Sequence, residues 1–490
     1  MKICFAMLNP GYARAYESTL RLLAQRGHAV HLAFSQPEKD ADGLAERLAS
    51  EYAGISCGPA PKRGDFWAGV AWAVRISADY LRYLHPRYRR AVKLRRRARA
   101  WPGAFFLRRL HLLPIRGAAM VGFLTRCLAA LERAIPSSRL IEECLRGGGF
   151  ELVLVTPLVN MGSTQVDYVK SARAVGLPTG LCVASWDNLT NKGLVRVIPD
   201  LVIVWNEAQR REAVELHGVP PARVVVTGAQ RFDEWFGRES TTARAAFCDR
   251  VGLRADRPYL LYVCSSPFIA PHEAPFVERW LGRLRAGPET LRDVGVLVRP
   301  HPQNAAQWRG VDLSSWENVA VWPPTGANPV DRASKTDYFD SLYHSAAVVG
   351  INTSALIEAG IVGRSVHTLL TPEYADTQRG TLHFAYLAAP DGGLLRVART
   401  WEEHLGQLEA SILEGATVTD ANRRFLAAFV RPRGLDVPST PIVVEAIEAL
   451  GRKERQKPEQ APVWSYPLRL ALLPLAILTT RLWGRNRRAA

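Results

Sequence analysis

Cysteine is scarce in this sequence and is never arranged in pairs. The 490-residue chain has seven cysteines, spread from Cys4 to Cys264 without any CxxC spacing. Several lie within apolar segments that are typical of buried strands, so we interpret them as reduced core residues of a cytosolic protein. Their distribution favours neither a disulfide framework nor a cysteine-based metal site.

Two common signatures of bound cofactors and metals are missing as well. No GxGxxG motif follows the first predicted strand, so a nicotinamide or flavin cofactor is not indicated. No DxD-type acidic pair stands at the end of a predicted strand, and we expect no bound metal. The amino terminus lacks the long apolar core and cleavage site of a signal peptide, which favours a cytoplasmic protein.

Acidic residues are nearly absent from one long stretch of the chain. Between Lys62 and Arg133 there are 17 lysines and arginines against three acids, a net charge of +14 in a chain whose total is +17. Residues 87–116 mix this charge with bulky apolar side chains such as Trp101 and Phe105. The mixture favours an anionic membrane surface as partner, and a helical insert with a solvated basic face is the alternative. Nucleic acid is not expected, because it would explain the charge but not the apolar side chains.

No apolar run is long enough for a transmembrane helix, which needs about 20 residues. The strongest candidate is the carboxyl-terminal segment at residues 464–488, whose apolar centre spans only 470–478 and contains Pro474. Trp464 and Trp483 near its ends, together with its basic terminus, are typical of a helix that lies in the membrane interface. We therefore expect a peripheral protein on the inner face of the cell membrane.

Strand-like and helix-like segments alternate along most of the remaining chain. The predicted strands are residues 2–8, 28–34, 151–155, 179–185, 200–205 and 223–228 in the first half, and 258–264, 294–299, 319–322, 346–351 and 365–370 in the second. This alternation predicts an α/β protein with a doubly wound parallel sheet in each half. The predicted domains are 1–235 with an insert at 62–136, then 236–450, then a linker and tail at 451–490.

Polar residues follow three predicted strands of the second half. They are Ser265 and Ser266, Arg299 and His301, and Asn352, Thr353 and Ser354, with Glu358 one helical turn further on. The carboxyl ends of parallel strands share one edge of a sheet, where open α/β sheets bind their ligands. Hydroxyl, imidazole and guanidinium groups can donate to phosphate, whereas a carboxylate can accept from sugar hydroxyls. For residues 352–358, an ordinary capped strand–helix junction is the alternative.

The first half offers further candidate residues after two of its predicted strands. A turn containing Gly11 follows the first strand, and Glu17 lies in the next helix. A polar loop at residues 185–193 follows another strand, and Asp187 is its only carboxylate. Loops at this position often carry function. The alternative is an Asx-type turn in which Asp187 or Asn188 bonds only its own backbone.

Three motifs give the chain a resemblance to a known family. The turn NPGYAR at residues 9–14, RPHP at 299–302 and VVGINTSALIEAG at 348–360 resemble motifs of the GT-B glycosyltransferases. Within that group the sequence is similar to bacterial surface-polysaccharide transferases and to CDP-glycerol glycerophosphotransferases. The resemblance covers residues 1–60 and 150–450, so the basic insert and the tail lie outside it.

The resemblance implies the GT-B fold, in which two doubly wound Rossmann-like domains face a cleft. It implies that the second half binds the nucleotide donor, with His301, Thr353 and Ser354 at the phosphates and Glu358 at the ribose. The acceptor site and the catalytic base would lie in the first half. The residues available there are Asp187 and Glu17 as candidate catalytic carboxylates, and Gly11, Arg14 and Asn188 as candidate acceptor contacts.

The expected function is a metal-independent glycosyltransferase that moves a sugar from a nucleotide donor to a lipid-linked or polysaccharide acceptor in bacterial cell-surface glycan synthesis. A CDP-glycerol-type glycerophosphotransferase, a non-hydrolysing UDP-sugar 2-epimerase and a non-catalytic, membrane-associated nucleotide-binding protein are the alternatives. The insert and the tail argue against the epimerase. The nucleotide-activated donor is expected as a substrate, without any further cofactor.

Overall fold

The computed structural model describes residues 1–37, 43–100, 117–415 and 419–486, with side chains up to Thr479 in the last helix. The chain forms two compact units. One comprises Met1–Asp233 together with Phe429–Ala490, and the other comprises Glu234–Ala428. Each unit contains its own parallel sheet.

The first unit is built on a seven-stranded parallel sheet. Its strands are β1 (Lys2–Met7), β2 (Ala29–Phe34), β3 (Ile55–Pro59), β4 (Leu152–Thr156), β5 (Thr179–Cys182), β6 (Leu201–Val204) and β7 (Val224–Val226). Their spatial order is β3-β2-β1-β4-β5-β6-β7. In β4, Leu152 and Leu154 enter one hydrophobic core while Val153 and Val155 enter the other. Because both faces are covered, the strand is a continuous apolar run.

The helices of this unit follow the strands in the expected alternation, interrupted after β3. They are α1 (Glu17–Gln25), α2 (Leu44–Glu51), α3 (Trp67–Arg82), α4 (Val92–Ala100), α5 (Ala118–Ala134), α6 (Arg139–Gly147), α7 (Val166–Ala174), α8 (Asn188–Asn191) and α9 (Glu207–His217). The described part of the predicted insert, residues 62–136, contains α3, α4 and α5 with short non-helical connections. Residues 101–116, part of the predicted membrane segment, lie outside the described residues.

A buried network of charged side chains fastens the insert to the first sheet. Arg75 on α3 donates to Asp167 on α7 at 2.8 Å and to Glu132 on α5 at 3.0 Å. Lys170 on α7 also pairs with Glu132, at 3.1 Å. Burial alone would raise the pKa of Asp167, but the Arg75 guanidinium overrides this effect and lowers that pKa to about 2. The insert is therefore joined to the sheet by paired charges that water does not reach.

The second unit contains a six-stranded parallel sheet. Its strands are β8 (Tyr259–Val263), β9 (Gly295–Arg299), β10 (Val319–Val321), β11 (Ala347–Gly350), β12 (Ser365–Leu369) and β13 (Leu395–Ala398), in the spatial order β10-β9-β8-β11-β12-β13. Its helices are α10 (Arg244–Val251), α11 (Ala274–Arg285), α12 (Glu289–Arg292), α13 (Arg332–Tyr343), α14 (Ala355–Ile361), α15 (Phe384–Leu387), α16 (Trp401–Glu414) and α17 (Asp420–Phe429). Two parallel α/β units were predicted, and both are present.

After α17 the chain returns to the first unit, earlier than the sequence suggested. The predicted second domain extended to residue 450, whereas the second unit ends at Ala428. The next helix, α18 (Ser439–Gly451), places Val443 and Ile447 in the hydrophobic core that contains Phe5 of β1. An amphipathic helix can cover either sheet, so only the tertiary structure decides which one it covers.

The tail forms a single helix, α19 (Ser465–Asn486), with Pro474 inside it. It packs on the insert, because Ala476 shares a small hydrophobic core with Val70 of α3. Arg469 donates to the backbone carbonyl of Ala134, at the end of α5, at 2.6 Å. No helix among the described residues is long and apolar enough to span a membrane. Residues 487 and 488 of the predicted membrane segment are not described.

Candidate functional site

The carboxyl ends of β8 and β11 lie next to each other at the centre of the second sheet. From β8 the chain proceeds through β9 to the β10 edge, and it then returns to β11 and proceeds to the β13 edge. The pair is parallel, with Val263 opposite Gly350. Such a reversal of strand order opens a crevice beyond the carboxyl ends, where open α/β sheets bind ligands. The loops after β8, β9 and β11 carry the predicted donor residues.

The loop after β8 is held by a buried carboxyl group that the sequence analysis did not single out. The backbone amide of Ser265 donates to Glu273 Oε2 at 2.7 Å, and the Tyr262 hydroxyl donates to Glu273 Oε1 at 3.1 Å. Burial raises the pKa of Glu273 to about 8. Ser265 is itself buried, whereas Ser266 is partly exposed. Of the two predicted serines, Ser266 is therefore the one whose side chain a ligand can reach.

The loop after β9 begins with His301, which precedes a 3₁₀ helix at Pro302–Trp308. Its Nδ1 accepts a hydrogen bond from the Gln303 amide at 3.2 Å. Burial lowers the pKa of His301 to about 4, so the ring is neutral at neutral pH. With Nδ1 accepting, the ring proton lies on Nε2, and that nitrogen can donate to a phosphate oxygen.

Side-chain amides connect the β8 loop with the β9 loop. Asn304 Nδ2 donates to the carbonyl of Ser265 at 3.2 Å and to that of Ala270 at 2.8 Å. Gln307 Oε1 accepts from the backbone amide of Glu273 at 2.7 Å. These bonds make the two loops one hydrogen-bonded assembly. The RPHPQN segment therefore also has a structural role in addition to its predicted binding role.

The loop after β11 contains Asn352, Thr353 and Ser354. The side chain of Asn352 is buried and donates to the carbonyl of Thr377 at 2.6 Å. Thr353 and Ser354 are partly exposed. Ser354 already has helical backbone angles, φ −62° and ψ −24°, and in the described structure its side chain does not cap α14. The predicted alternative is a plain junction with Thr353 or Ser354 as N-cap and a solvated Glu358. The structure shows no side-chain cap from Ser354, and Glu358 is buried.

Arg299 is engaged within the protein, which differs from the predicted contact with phosphate. Its guanidinium lies 3.3 Å from a carboxylate oxygen of Asp337 and 4.7 Å from the centre of the Tyr338 ring. Burial lowers its pKa. The Tyr338 hydroxyl donates in turn to Glu358. Arg299 thus positions Tyr338, and Tyr338 orients Glu358, the residue predicted to bind the ribose. The geometry favours this supporting role for Arg299.

The first sheet has its own reversal of strand order, between β1 and β4. Gly11 and Arg14 lie in a 3₁₀ helix, Pro10–Tyr16, directly after β1. Glu17 begins α1 and pairs with Arg21 at 3.1 Å. Tyr16, the last residue of the 3₁₀ helix, donates to the carbonyl of Cys182, at the end of β5, at 2.8 Å. The predicted residues after β1 therefore lie at the switch point of this sheet.

The polar loop at residues 185–193 follows β5 and contains the short helix α8. Asp187 is partly exposed, and its carboxylate accepts from the side-chain amides of Asn188 at 3.2 Å and Asn191 at 3.3 Å. Asn188 is buried, so its side chain is not presented to an acceptor in this conformation. The predicted alternative, a bond from these residues only to their own backbone, does not describe these side-chain contacts.

The insert supports this loop, a connection that the sequence analysis did not foresee. Arg82 of α3 donates to the carbonyls of Lys192 at 2.9 Å and Gly193 at 2.6 Å. The Tyr83 hydroxyl donates to the same Lys192 carbonyl at 2.6 Å. Asp79 accepts from the backbone amide of Leu194 at 2.8 Å. The basic insert and the loop that carries Asp187 are therefore one structural unit. Within the described residues, no cluster of three His, Cys, Asp or Glu side chains is placed to hold a metal.

Solved structures with the same architecture match nearly the whole chain. The UDP-GlcNAc 2-epimerase of Methanocaldococcus jannaschii, in complex with UDP-GlcNAc and UDP, is 11% identical with a TM-score of 0.51, over 92% of this chain and 100% of that chain. A glycosyltransferase from Rickettsia africae is 9% identical with a TM-score of 0.50, over 92% and 99%. Anabaena Alr3699/HepE, in complex with UDP and glucose, is 10% identical with a TM-score of 0.50, over 92% and 100%.

The chain has the GT-B fold. The resemblance that the three motifs indicated is confirmed at the level of the fold. No protein-family model matches the sequence, and no curated protein matches it. In this GT-B chain the candidate donor residues all belong to the second unit, and the candidate acceptor and catalytic residues all belong to the first.

Proposed function

We propose that this GT-B protein is a glycosyltransferase that passes a sugar from a nucleotide donor to a lipid-linked or polysaccharide acceptor in bacterial cell-surface glycan synthesis. The observation that carries the proposal is the switch point between β8 and β11, where three loops bring hydrogen-bond donors to one edge of the sheet. Nucleotides bind at such edges. The neighbours whose structures contain UDP support a nucleotide as the ligand.

The proposed donor site uses four partly exposed groups at that edge and one buried carboxylate. Nε2 of His301 and the hydroxyls of Ser266, Thr353 and Ser354 donate to the diphosphate, and Glu358 accepts from the ribose. These groups offset the negative charge that builds on the leaving diphosphate, which is where pre-placed donors contribute most. The proposed transfer therefore needs no metal ion. The buried residues Asn352, Ser265 and Arg299 have a supporting role in this proposal and do not contact the donor.

The proposed acceptor chemistry belongs to the first unit. A carboxylate takes the proton from the attacking hydroxyl of the acceptor, and Asp187 is our first choice for this base. Support comes from its partial exposure and from the many bonds that hold its loop. Glu17 is the second choice, because its carboxylate pairs with Arg21. A lipid-linked acceptor would be met at an anionic membrane surface, which the charge of the insert suits.

A ligand panel tests the donor site. A nucleotide that binds only the native state raises the melting temperature, so UDP, GDP, CMP, CDP and CDP-glycerol are compared by thermal shift. We expect one of them to stabilise the wild type, and His301→Ala and Ser354→Ala to reduce that shift. Ser314→Ala, an exposed serine in the same unit, is the control. Equal binding by all four proteins would show that the site is wrongly assigned. A response to CDP-glycerol alone would favour the glycerophosphotransferase.

A second experiment separates binding from catalysis. Asp187→Asn should keep the affinity for the donor nucleotide and lose turnover, because the amide cannot accept the acceptor's proton. Turnover is followed as nucleotide release in the presence of membrane lipids that carry the acceptor. Normal turnover in this variant would exclude Asp187 as the base. Loss of nucleotide binding would assign it to the donor site or to the structure of the loop.

A UDP-sugar 2-epimerase is the second candidate, because the M. jannaschii neighbour is such an enzyme. The two activities differ in what they require. An epimerase converts a UDP-sugar without any acceptor, whereas a transferase releases the nucleotide only when an acceptor is present. An NMR spectrum of UDP-GlcNAc incubated with the protein alone therefore discriminates between them. Appearance of the 2-epimer would overturn the transferase proposal.

A further inference from the structure

Three helices of the first unit pack side by side and are called here the helical layer. They are α3 and α5 of the insert and α19 of the tail. Val74 of α3, Ile135 after α5 and Ala476 of α19 lie in one buried cluster. At Gly69 of α3 the approach to α19 is so close that a Cβ atom would lie 2.7 Å from Thr479 Oγ1. The tail helix α19 is thus closely packed against α3 of the layer.

The layer is apolar on its outer side as well. On α5, Phe123 is 59% exposed and Met120 is exposed next to it; on α19, Leu470 is 72% exposed, and Ile477 and Leu478 are exposed further along. These five side chains are called the outer surface. Leu470, Ile477 and Leu478 lie on one side of α19. Ala476 and Thr479 lie on the opposite side and face α3. Helix α19 therefore presents apolar side chains both to α3 and to its outer side. A helix at the surface of a unit normally presents polar residues on its outer side.

Negative charge is absent from the outer surface. Glu132 is the only acidic residue in the sequences of α5 and α19, and it is buried against Arg75 and Lys170. Arg126 and Arg133 of α5 are exposed. Apolar side chains with arginines and no exposed acid complement a surface that is apolar inside and anionic at its boundary. A bilayer that contains acidic phospholipids has this property.

We propose that the outer surface of the α3–α5–α19 layer is a docking surface for an anionic lipid bilayer. Since its inner side is fixed to the first unit, α19 would lie flat, with Leu470, Ile477 and Leu478 entering the headgroup region. The proposal rests on the proposed function in one respect, because a lipid-linked acceptor gives the docking its purpose. Of the two predicted membrane segments, the surface includes residues of 464–488 and none of 87–116, and it adds α5.

Helix α3 connects this surface to the candidate acceptor site. Val70 and Val74 of α3 belong to the core of the layer, whereas Asp79 and Arg82 of the same helix hold the loop that carries Asp187. Eight residues separate Val74 from Arg82, which is about 12 Å along a helix. One helix therefore connects the docking surface with the loop that carries the candidate base.

Flotation with vesicles tests the surface on the full-length protein. The double variant Phe123→Glu, Leu470→Glu puts two carboxylates on the outer surface at exposed positions, so its melting temperature should equal that of the wild type. Leu413→Glu is the matched control, because Leu413 is 70% exposed on α16 of the other unit. We expect wild type and control to float with phosphatidylcholine vesicles containing phosphatidylglycerol. The double variant should bind about tenfold more weakly, since it loses apolar burial and gains repulsion.

Several outcomes would overturn the proposal. One is that the double variant binds the vesicles as tightly as the wild type. Another is that the wild type binds vesicles of phosphatidylcholine alone as tightly as vesicles that contain phosphatidylglycerol. A wild-type dimer in light scattering that the double variant abolishes, without vesicle binding, would assign the surface to a second copy of the chain. Nucleotide binding is measured on the same samples without lipid. If vesicles bind and no nucleotide does, the proposed function fails and the docking surface stands; the reverse result rejects only the docking surface.

Discussion

The guanidinium of Arg299 lies 4.7 Å from the centre of the Tyr338 ring, and the hydroxyl of that ring donates to Glu358. Arg299 ends β9, Tyr338 is in the middle of α13 and Glu358 is in α14. Tyr338, for which the sequence predicted no role, thus connects the predicted site residues Arg299 and Glu358. The connection explains why a cation can contribute to a ligand site without touching the ligand, because it fixes the ring that orients the carboxylate.

Replacing Tyr338 by phenylalanine should weaken nucleotide binding about tenfold, the size expected for losing one hydrogen bond to a charged group. The ring and its contact with Arg299 remain, so the melting temperature of the free protein should change little. Isothermal titration with the nucleotide found in the ligand panel measures the effect. Tyr52→Phe, which alters a hydroxyl in the first unit, is the control. Unchanged affinity would mean that Glu358 does not need this bond.

Replacing His301 by alanine should reduce the affinity for the donor nucleotide at least about tenfold, because a donor to a charged phosphate is lost. The same titration measures this change. His31→Ala is a suitable comparison, since His31 bonds Ser56 in the first unit and should leave the affinity unaltered. If His301→Ala binds as tightly as the wild type, the imidazole has only the structural bond to Gln303.

Acidification should destabilise the protein between pH 6.5 and pH 4. Burial lowers the pKa of both His301 and His404 to about 4, below the ordinary value of 6.5. In that interval the unfolded chain binds more protons than the native chain, so stability falls as the pH falls. The contribution is fully present above pH 6.5. Urea unfolding at pH 7.5 and pH 5.0 should differ by about 2 kcal/mol for each histidine. His404→Gln should show a smaller difference, and an equal one would contradict this account.

Glu273→Gln should stabilise the protein at alkaline pH. The pKa of Glu273 is raised to about 8, so between its ordinary value and pH 8 the native state holds a proton that the unfolded state has released. Stability in the wild type is therefore lost as the pH rises through this range. The neutral amide avoids that loss, and we expect a gain of about 1–3 kcal/mol at pH 9 and less at pH 6. Glu317→Gln, at an 86% exposed position, should show no such pH dependence in urea unfolding.

Asp167→Asn should cost about 3–5 kcal/mol of unfolding free energy, because it leaves buried guanidinium groups without their carboxylate. Asp167 accepts from Arg63 at 2.9 Å and from Arg75 at 2.8 Å. Asp256→Asn breaks an exposed surface pair with Arg254 and should cost far less, because solvent screens that pair. Urea unfolding compares the two variants. Similar small costs would show that the insert is not held by the charge network.

The sequence was sufficient to predict the fold class and most strands, for a local reason. Central strands of a parallel sheet are continuous apolar runs, and their signal survives without knowledge of neighbours. The strands that the sequence did not predict, β3 and β13, are the outermost strands at one edge of each sheet. Their sequences, ISCGP and LRVA, are only partly apolar, so neither contains the uninterrupted apolar run that predicts a buried strand.

The sequence also located the polar loops after β8, β9 and β11, since each loop directly follows its own strand. It did not identify the residues that support those loops. Glu273 reaches back to Ser265, and Tyr338 reaches across to Glu358. Neither pair has a periodic or local signal, because the partners meet only when separate helices and strands pack. For the same reason, the engagement of Arg299 with Asp337 was not foreseen.

What the sequence determined by itself is therefore the set of local elements: apolar strands, the polar turns at their ends, and a basic insert and tail with apolar faces. These features depend on neighbours within a few residues. The tertiary structure alone decided that α18 returns to the first sheet, that the tail packs on the insert, and that the insert holds the loop of Asp187. Those contacts join residues far apart in the chain. They stabilise the protein only after folding has brought these residues together, so no local sequence pattern predicts them.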